Sequence, residues 1–212
     1  MKKILTTAAV LCAAMATPLT TSAQFSLPSF GGSKSSAPAA DLSGQQTTLV
    51  KNFVAANVDV LKANAKMGEA LGLKATSADA EAVAQQLSSG STFDKDSVSK
   101  ASTAVGDSGG AIAAKLAEKP TLDAAAKVTY TQGLLSLAKG VVKYTGLGKD
   151  VTAMGDGLKA APLTQLPSLS AATYVVTKFP TSTTEVLKAL KNAVDFAKSN
   201  NIEVPAEATS LL

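Results

Sequence analysis

The chain has 212 residues, of which 46% are hydrophobic and only 4% aromatic, and its formal charge is +4. It contains no histidine and no tryptophan, its 20 basic residues are all lysine, and its one cysteine is Cys12. These absences exclude a histidine general base, argue against zinc, copper and haem sites, which draw on histidine or cysteine, and argue against nucleic-acid readout, which relies on arginine forks.

Residues 1–23 have the order of a secretory signal peptide. Lys2 and Lys3 are followed by an apolar run from Ile4 to Ala16, then Pro18 and the small-residue site Thr21-Ser22-Ala23. The run is too short for a membrane span. Leu11 precedes Cys12 where a lipoprotein would carry a small residue, so a soluble periplasmic or secreted protein is expected. Loss of Lys2 and Lys3 leaves 18 lysines against 16 acidic residues, a charge of +2, too mild to call for a polyanionic partner. Residues 24–40 mix Ser, Gly, Pro and Ala with no regular period and read as a flexible linker in which Phe25, Leu27 and Phe30 stand alone.

A bundle domain is expected over residues 41–205. Leu49, Phe53, Ala56, Val60, Ala63, Met67 and Ala70 follow a four–three spacing, the stripe of a long helix stopped by Gly72. Val50, Val54, Val58, Leu61 and Ala65 widen that stripe, and Asn57 and Asn64 read as boundary residues bonded to water. Thr76 with Asp79 resembles a capping pair for a short helix with the face Ala80, Val83, Ala84 and Leu87, ended by Ser88-Ser89-Gly90. The next helix starts near Asp94 and carries Val98, Ala101, Val105, Ile112 and Leu116, with a kink or break expected at Gly109-Gly110.

Pro120-Thr121 open the most apolar segment. Val128, Leu135, Ala138 and Val142 make one stripe, and Tyr130, Leu134, Leu137, Val141 and Tyr144 a second, which predicts the central helix of the bundle. Gly133 and Gly140, seven apart, would let a neighbouring helix approach closely. Gly146 and Gly148 interrupt the pattern, and Val151, Met154, Leu158 and Ala161 resume it up to Pro162. Leu166, Leu169, Ala172, Val176 and Phe179 predict a helix that stops at Pro180. Ser182 with Glu185 then opens another, with the face Leu187, Leu190, Val194 and Ala197, closed by Asn200-Asn201. Residues 206–212 are expected to be a tail. No long alternating run points to a sheet, so the expected fold is all-α, a single bundle of about five to seven helices after the signal peptide and linker.

Gly106-Asp107-Ser108-Gly109-Gly110 resembles, letter for letter, the nucleophile loop of the chymotrypsin-like serine proteases. That resemblance implies Ser108 as nucleophile and the Gly106 and Ser108 amides as an oxyanion hole. The chain has no histidine base, and the motif falls in a helical pattern rather than a β-barrel, so the match is read as coincidence and Ser108→Ala as neutral. Ser97-Val98-Ser99-Lys100 resembles the Ser-x-x-Lys element of penicillin-binding proteins and β-lactamases, but no Lys-Thr-Gly follows, and Ser97 and Lys100 read as solvated surface. Asp94-Lys95-Asp96 and Asp150 with Asp156-Gly157 do not match an EF-hand and read as a helix start and a turn. No catalytic residue, metal site or cofactor is assigned.

Residues 133–143, GLLSLAKGVVK, are similar to short membrane-active amphipathic peptides. They supply the candidate membrane contacts Leu134, Leu135, Leu137, Lys139, Val141 and Lys143 of an alternative reading, a pore-forming helical protein. The leader MKKILTTAAVL, the TSA-QF junction, the Gly/Ser linker and the Ala-rich helices together resemble exported helical proteins of proteobacteria, a resemblance that implies no activity. The leading expectation is an exported, non-enzymatic interaction or structural protein with a protein partner, a membrane surface being the second choice. The exported protein is expected to begin at Gln24 and carry no lipid. Intact mass of material from its native cells checks this, and a retained leader or a diacylglycerol adduct on Cys12 would overturn it.

Overall fold

The four–three stripe from Leu49 to Ala70 does form one helix, α1 (Leu42–Ala70), whose start is capped by the Asp41 carboxylate accepting from the Gly44 amide at 2.9 Å. The computed structural model describes residues 41–212, so the signal peptide expected over residues 1–23 and the linker expected over residues 24–40 lie outside the described residues. Every residue of both predicted stripes of α1 is buried. Only a narrow strip, including Lys51, Asn52, Lys62 and Glu69, is exposed. Gly72 stops the helix as expected, at φ 77°, and the Leu73 amide closes the turn by donating to the Gly68 carbonyl at 2.8 Å.

Five further long helices follow: α2 (Lys74–Ser89), α3 (Lys95–Ala117), α4 (Ala124–Gly146), α5 (Gly148–Ala160) and α6 (Ser170–Ser199). A single 3-10 turn, Leu166–Leu169, leads into α6, and a short α7 (Ala206–Thr209) ends the fold. Among the described residues there is no strand, and the fold is the all-α bundle that the periodicity implies. No helix among them is long and apolar enough to cross a membrane.

The expected hierarchy of helices is corrected. α1, not α4, is the central helix: α4, α2, α3, α6 and α5 all pack on it. The reason is the breadth of its apolar surface. α4 turns the stripe of Tyr130, Leu134, Leu137, Val141 and Tyr144 to the bundle, while Val128 and Val142 of its other stripe are exposed. Gly133 and Gly140 do bring α4 against α1. A Cβ at Gly133 would lie 2.6 Å from Met67 Cγ and 3.2 Å from the Ala63 carbonyl oxygen. One at Gly140 would lie 2.7 Å from Val60 Cγ2 and 3.3 Å from the Val60 amide nitrogen.

Several boundaries differ from expectation. α2 starts at Lys74 without a side-chain cap, so Thr76 and Asp79 do not form the capping pair. Its first turn is held from outside, the Ser77 hydroxyl donating to the Ala65 carbonyl of α1 at 2.7 Å. α3 begins where expected: the Asp94 carboxylate accepts from the Ser97 hydroxyl and amide at 2.7 and 2.8 Å, bonds that hold its carboxyl below the usual carboxylate range. α3 runs through Gly109-Gly110 without the expected interruption. α4 starts after Asp123, whose carboxylate caps the Ala126 amide at 2.8 Å, rather than at Pro120.

The largest correction is at Pro180, which lies inside α6 instead of ending a helix. Proline in a helix interior costs about 3 kcal/mol. Here Ala172 and Val175 before it, and Val186, Leu190, Ala193 and Ala197 after it, are all buried on one continuous face, and Pro180 itself is exposed. Burial of several such side chains, each worth about 1.5–3 kcal/mol when leucine-sized, outweighs the lost hydrogen bond. The start of α6 is supported from α1, where Gln46 Oε1 accepts from the Ala172 amide at 3.1 Å. Asn200-Asn201 close the helix as expected. Asn201 adopts φ 53°, and the amide of the buried Ile202 donates to the Ala197 carbonyl at 2.9 Å. Residues 206–212 are not simply a tail, because Ala208 of α7 is fully buried where α7 packs on α4 and α6.

The close α1–α4 approach yields a stability prediction. Gly133→Ala and Gly140→Ala each restore about 1 kcal/mol of helix propensity, but each places a methyl inside the contact distance of the facing helix. The double variant is expected to be less stable than the parent by about 1–3 kcal/mol, read as a lower urea midpoint. A raised midpoint would mean the helices can part at no cost.

Candidate functional site

The protease-like pentapeptide lies in the middle of α3, and the helix decides what Ser108 can do. Its side chain is 5% exposed and its hydroxyl donates to the Ala104 carbonyl one turn back at 2.6 Å. The same oxygen accepts from Asn64 Nδ2 of α1 at 2.8 Å. The proton is therefore committed to the backbone and a lone pair to a carboxamide. Ser108 joins α3 to α1, and among the described residues its hydrogen-bond partners are a carboxamide and backbone carbonyls.

Asn64 and Asn57 are the polar residues that the sequence reading misplaced. They are 3% and 0% exposed, not boundary residues in water. Asn57 Nδ2 donates to the Phe53 carbonyl at 2.8 Å, and its Oδ1 accepts from the Tyr144 hydroxyl of α4, also at 2.8 Å. Tyr144 stands edge-on to Phe53, ring centroids 5.6 Å apart. The Tyr130 hydroxyl donates to the Ala193 carbonyl of α6 at 3.2 Å. Burial pushes both phenols well above the ordinary tyrosine range, so each remains a neutral donor at physiological pH. The missed signal was position: both asparagines fall between seam residues of the four–three pattern, where water does not reach.

The other chemical candidates resolve into surface structure. Ser97 bonds to the Asp94 cap at 2.7 Å and Lys100 Nζ donates to Gln86 Oε1 at 2.7 Å, so the two side chains of the Ser-x-x-Lys element are engaged with other partners rather than with each other. Asp150 lies in the first turn of α5, and Asp156 pairs with Lys159 at 3.0 Å. Among the described residues no cluster of acidic, histidine or cysteine side chains could hold a metal ion.

The membrane-contact candidates do not share one surface. Leu134, Leu137 and Val141 are buried against the bundle, and Leu135 is half-buried. Lys139 is exposed, and Lys143 pairs with Asp59 of α1 at 2.7 Å. What α4 leaves open is its other side. Val128 and Val142 are 61% and 54% exposed, with the half-buried Leu135 midway between them at heptad spacing.

Several hollows flank the bundle, among them two that α6 helps to line. A groove of about 550 Å³ between α5 and α6 has Leu158, Leu166 and Tyr174 in its lining and Lys95, Lys159 and Lys178 around them. A narrower slot of about 290 Å³ runs between α3 and α6, lined on the α3 side by Val105, Gly106, Gly109, Gly110 and Ala113. Each helix-interior glycine costs about 1 kcal/mol relative to alanine. A Cβ at Gly106 or Gly110 would nevertheless meet no heavy atom within 4 Å. These glycines, unlike Gly133 and Gly140, are not required by helix packing.

Comparison with protein-family models, with curated proteins and with solved structures finds no match to this chain.

The position of Ser108 corrects the expectation that its replacement is neutral. Ser108→Ala removes the acceptor of a buried carboxamide and is expected to destabilise the protein by about 1–3 kcal/mol, measured by urea denaturation. The parent protein should stay unlabelled by a fluorophosphonate probe. An unchanged midpoint would show that Asn64 finds another partner, and labelling at Ser108 would reopen the enzyme class.

Proposed function

We propose that the protein is an exported, non-enzymatic helical bundle that acts as an interaction protein, with the open side of α4 as its contact surface. The observation that carries this reading is the exposure of Val128 and Val142, with the half-buried Leu135 midway between them, while Ala138 of the same stripe is buried. An apolar stripe at heptad spacing is normally turned inward, and a helix face left open is what a partner helix or groove recognises through anchors at this period. The exposed Lys139 at its margin gives the stripe a polar rim. Export rests on the leader at residues 1–23. The structural role of Ser108 supports the non-enzymatic part. The partner is a protein presenting an apolar helix or groove. The membrane alternative draws less support, since Leu134, Leu137 and Val141 are engaged in the core.

Site-specific photo-crosslinking in the native cells tests this. A photoreactive residue at Val142 is expected to give a discrete adduct, one at the exposed Glu69 of α1 none, and Val128→Glu should abolish the adduct at position 142 while leaving the helical spectrum unchanged. Absence of any adduct at 142 would overturn the reading. Dye release from liposomes by the intact protein, abolished by Val142→Glu, would replace it with the membrane one.

A further inference from the structure

The groove between α5 and α6 combines an apolar lining with a cationic rim. Leu158 of α5 and Leu166 of the 3-10 turn are half-buried in it, and Tyr174 of α6 shares the lining. In the connection between the two leucines, Leu163 is 82% exposed. The volume of about 550 Å³ falls within the range of about 300–1,000 Å³ common to small-molecule clefts.

The polar groups of this groove select for an anion. Three lysines, Lys95, Lys159 and Lys178, stand in the lining, and no carboxylate does. Lys159 is paired with Asp156 on its own helix at 3.0 Å. Lys95 and Lys178 are exposed and, among the described residues, take part in no ion pair. Asp94, next to Lys95 in the chain, is engaged by the Ser97 amide and hydroxyl instead. The Thr173 and Thr177 hydroxyls donate to the Leu169 and Thr173 carbonyls at 3.0 and 2.8 Å, so their protons are committed to the helix. The donors left for a guest are the two lysines, with the Ser170 and Tyr174 hydroxyls beside them. Positive charge at the rim of an apolar cleft attracts a molecule with the opposite charge and a hydrocarbon body.

We propose that this groove binds a single-chain anionic amphiphile, a carboxylate of the fatty-acid kind. The carboxylate pairs with the rim formed by Lys95 and Lys178, and the hydrocarbon chain lies against Leu158, Leu166 and Tyr174. None of the lining residues belongs to α4, so the site stands independently of the partner proposed for the open side of that helix.

Amide NMR of the mature chain, residues 24–212, tests the proposal by titration with sodium dodecanoate, with dodecyltrimethylammonium and with acetate. Dodecanoate is expected to shift the amides of Leu158, Leu166 and Tyr174 saturably, with a dissociation constant of about 1 mM or below. Dodecyltrimethylammonium has the same chain and the opposite charge, and should bind at least about tenfold more weakly. Acetate has the headgroup without the chain, and should give no saturable shift at the same concentrations. Lys95→Gln/Lys178→Gln alters two exposed side chains and should keep the urea midpoint of the parent while losing about fivefold in affinity for dodecanoate. Shifts that never saturate, or that spread over every helix, would mean detergent-like coating and would overturn the proposal. Equal affinity for the two amphiphiles, saturable binding of acetate, or unchanged dodecanoate affinity in the lysine variant would overturn it as well. Sedimentation with phosphatidylglycerol vesicles that the lysine variant loses, with no saturable dodecanoate shift, would assign the groove to a membrane surface and would also overturn it.

Discussion

The structure depends on how closely α1 and α4 approach. Gly133 and Gly140 lie against the backbone at Ala63 and Met67 and at Val60 and Ala56, and any side chain there would collide. With no cysteine in the described residues and few aromatics, the bundle has no disulfide to lean on and only a few large aromatic core residues, among them Phe53, Tyr130, Tyr144 and Phe196. It substitutes length and proximity: small residues let two long helices lie nearly in backbone contact, where dispersion between many atom pairs adds up. Once α4 occupies that side of α1, the remaining apolar sides of α1 are left for α2, α3, α5 and α6. The ion pair Lys143–Asp59 and the Lys66–Gln132 bond at the margins are partly solvated and contribute little beside this packing.

Packing of small side chains fixes distance better than register, and register falls to the buried polar pairs. Asn57 meets Tyr144 of α4, and Asn64, one heptad on, meets Ser108 of α3. Sliding α4 by one turn would strand the Tyr144 hydroxyl and Asn57 Oδ1, and sliding α3 would take from the Asn64 amide its Ser108 acceptor, each a buried polar loss comparable to the gain from several methylene groups. Tyr130 ties α4 to α6 through the Ala193 carbonyl in the same way. Each of these side chains serves the fold, which is why a motif that spells a protease nucleophile is here a bond between helices.

Glycine has two opposite uses within one domain. In α4 its missing side chain is filled by the neighbouring helix. In α3 Gly106 and Gly110 have no neighbour at that place, and the space remains a slot. The same contrast separates the two apolar stripes of α4: that of Tyr130 to Tyr144 is consumed by the core, whereas the other buries Ala138, half-buries Leu135 and leaves Val128 and Val142 exposed. In both places residues whose composition suits a buried environment are left uncovered by the fold.

The sequence by itself determined the helix class, the position of α1, the stops at Gly72 and Asn201, the Asp94 cap and the close contact at Gly133 and Gly140. All of these follow from periodicity, local capping chemistry or the size of one residue, and none needs to know a partner. What it could not decide were competitions between local preference and remote burial. Pro180 signals a helix end locally, yet the faces on both sides of it share one phase and are buried together, so α6 continues. Asn57 and Asn64 look like boundary residues until Tyr144 and Ser108, far along the chain, close over them. α4 is the more apolar helix, but α1 is the central one, because centrality depends on how many helices pack around an element. Whether a stripe or a row of glycines is covered is likewise set only when the other helices have taken their places, so the open stripe and the slot were decided by the tertiary structure alone.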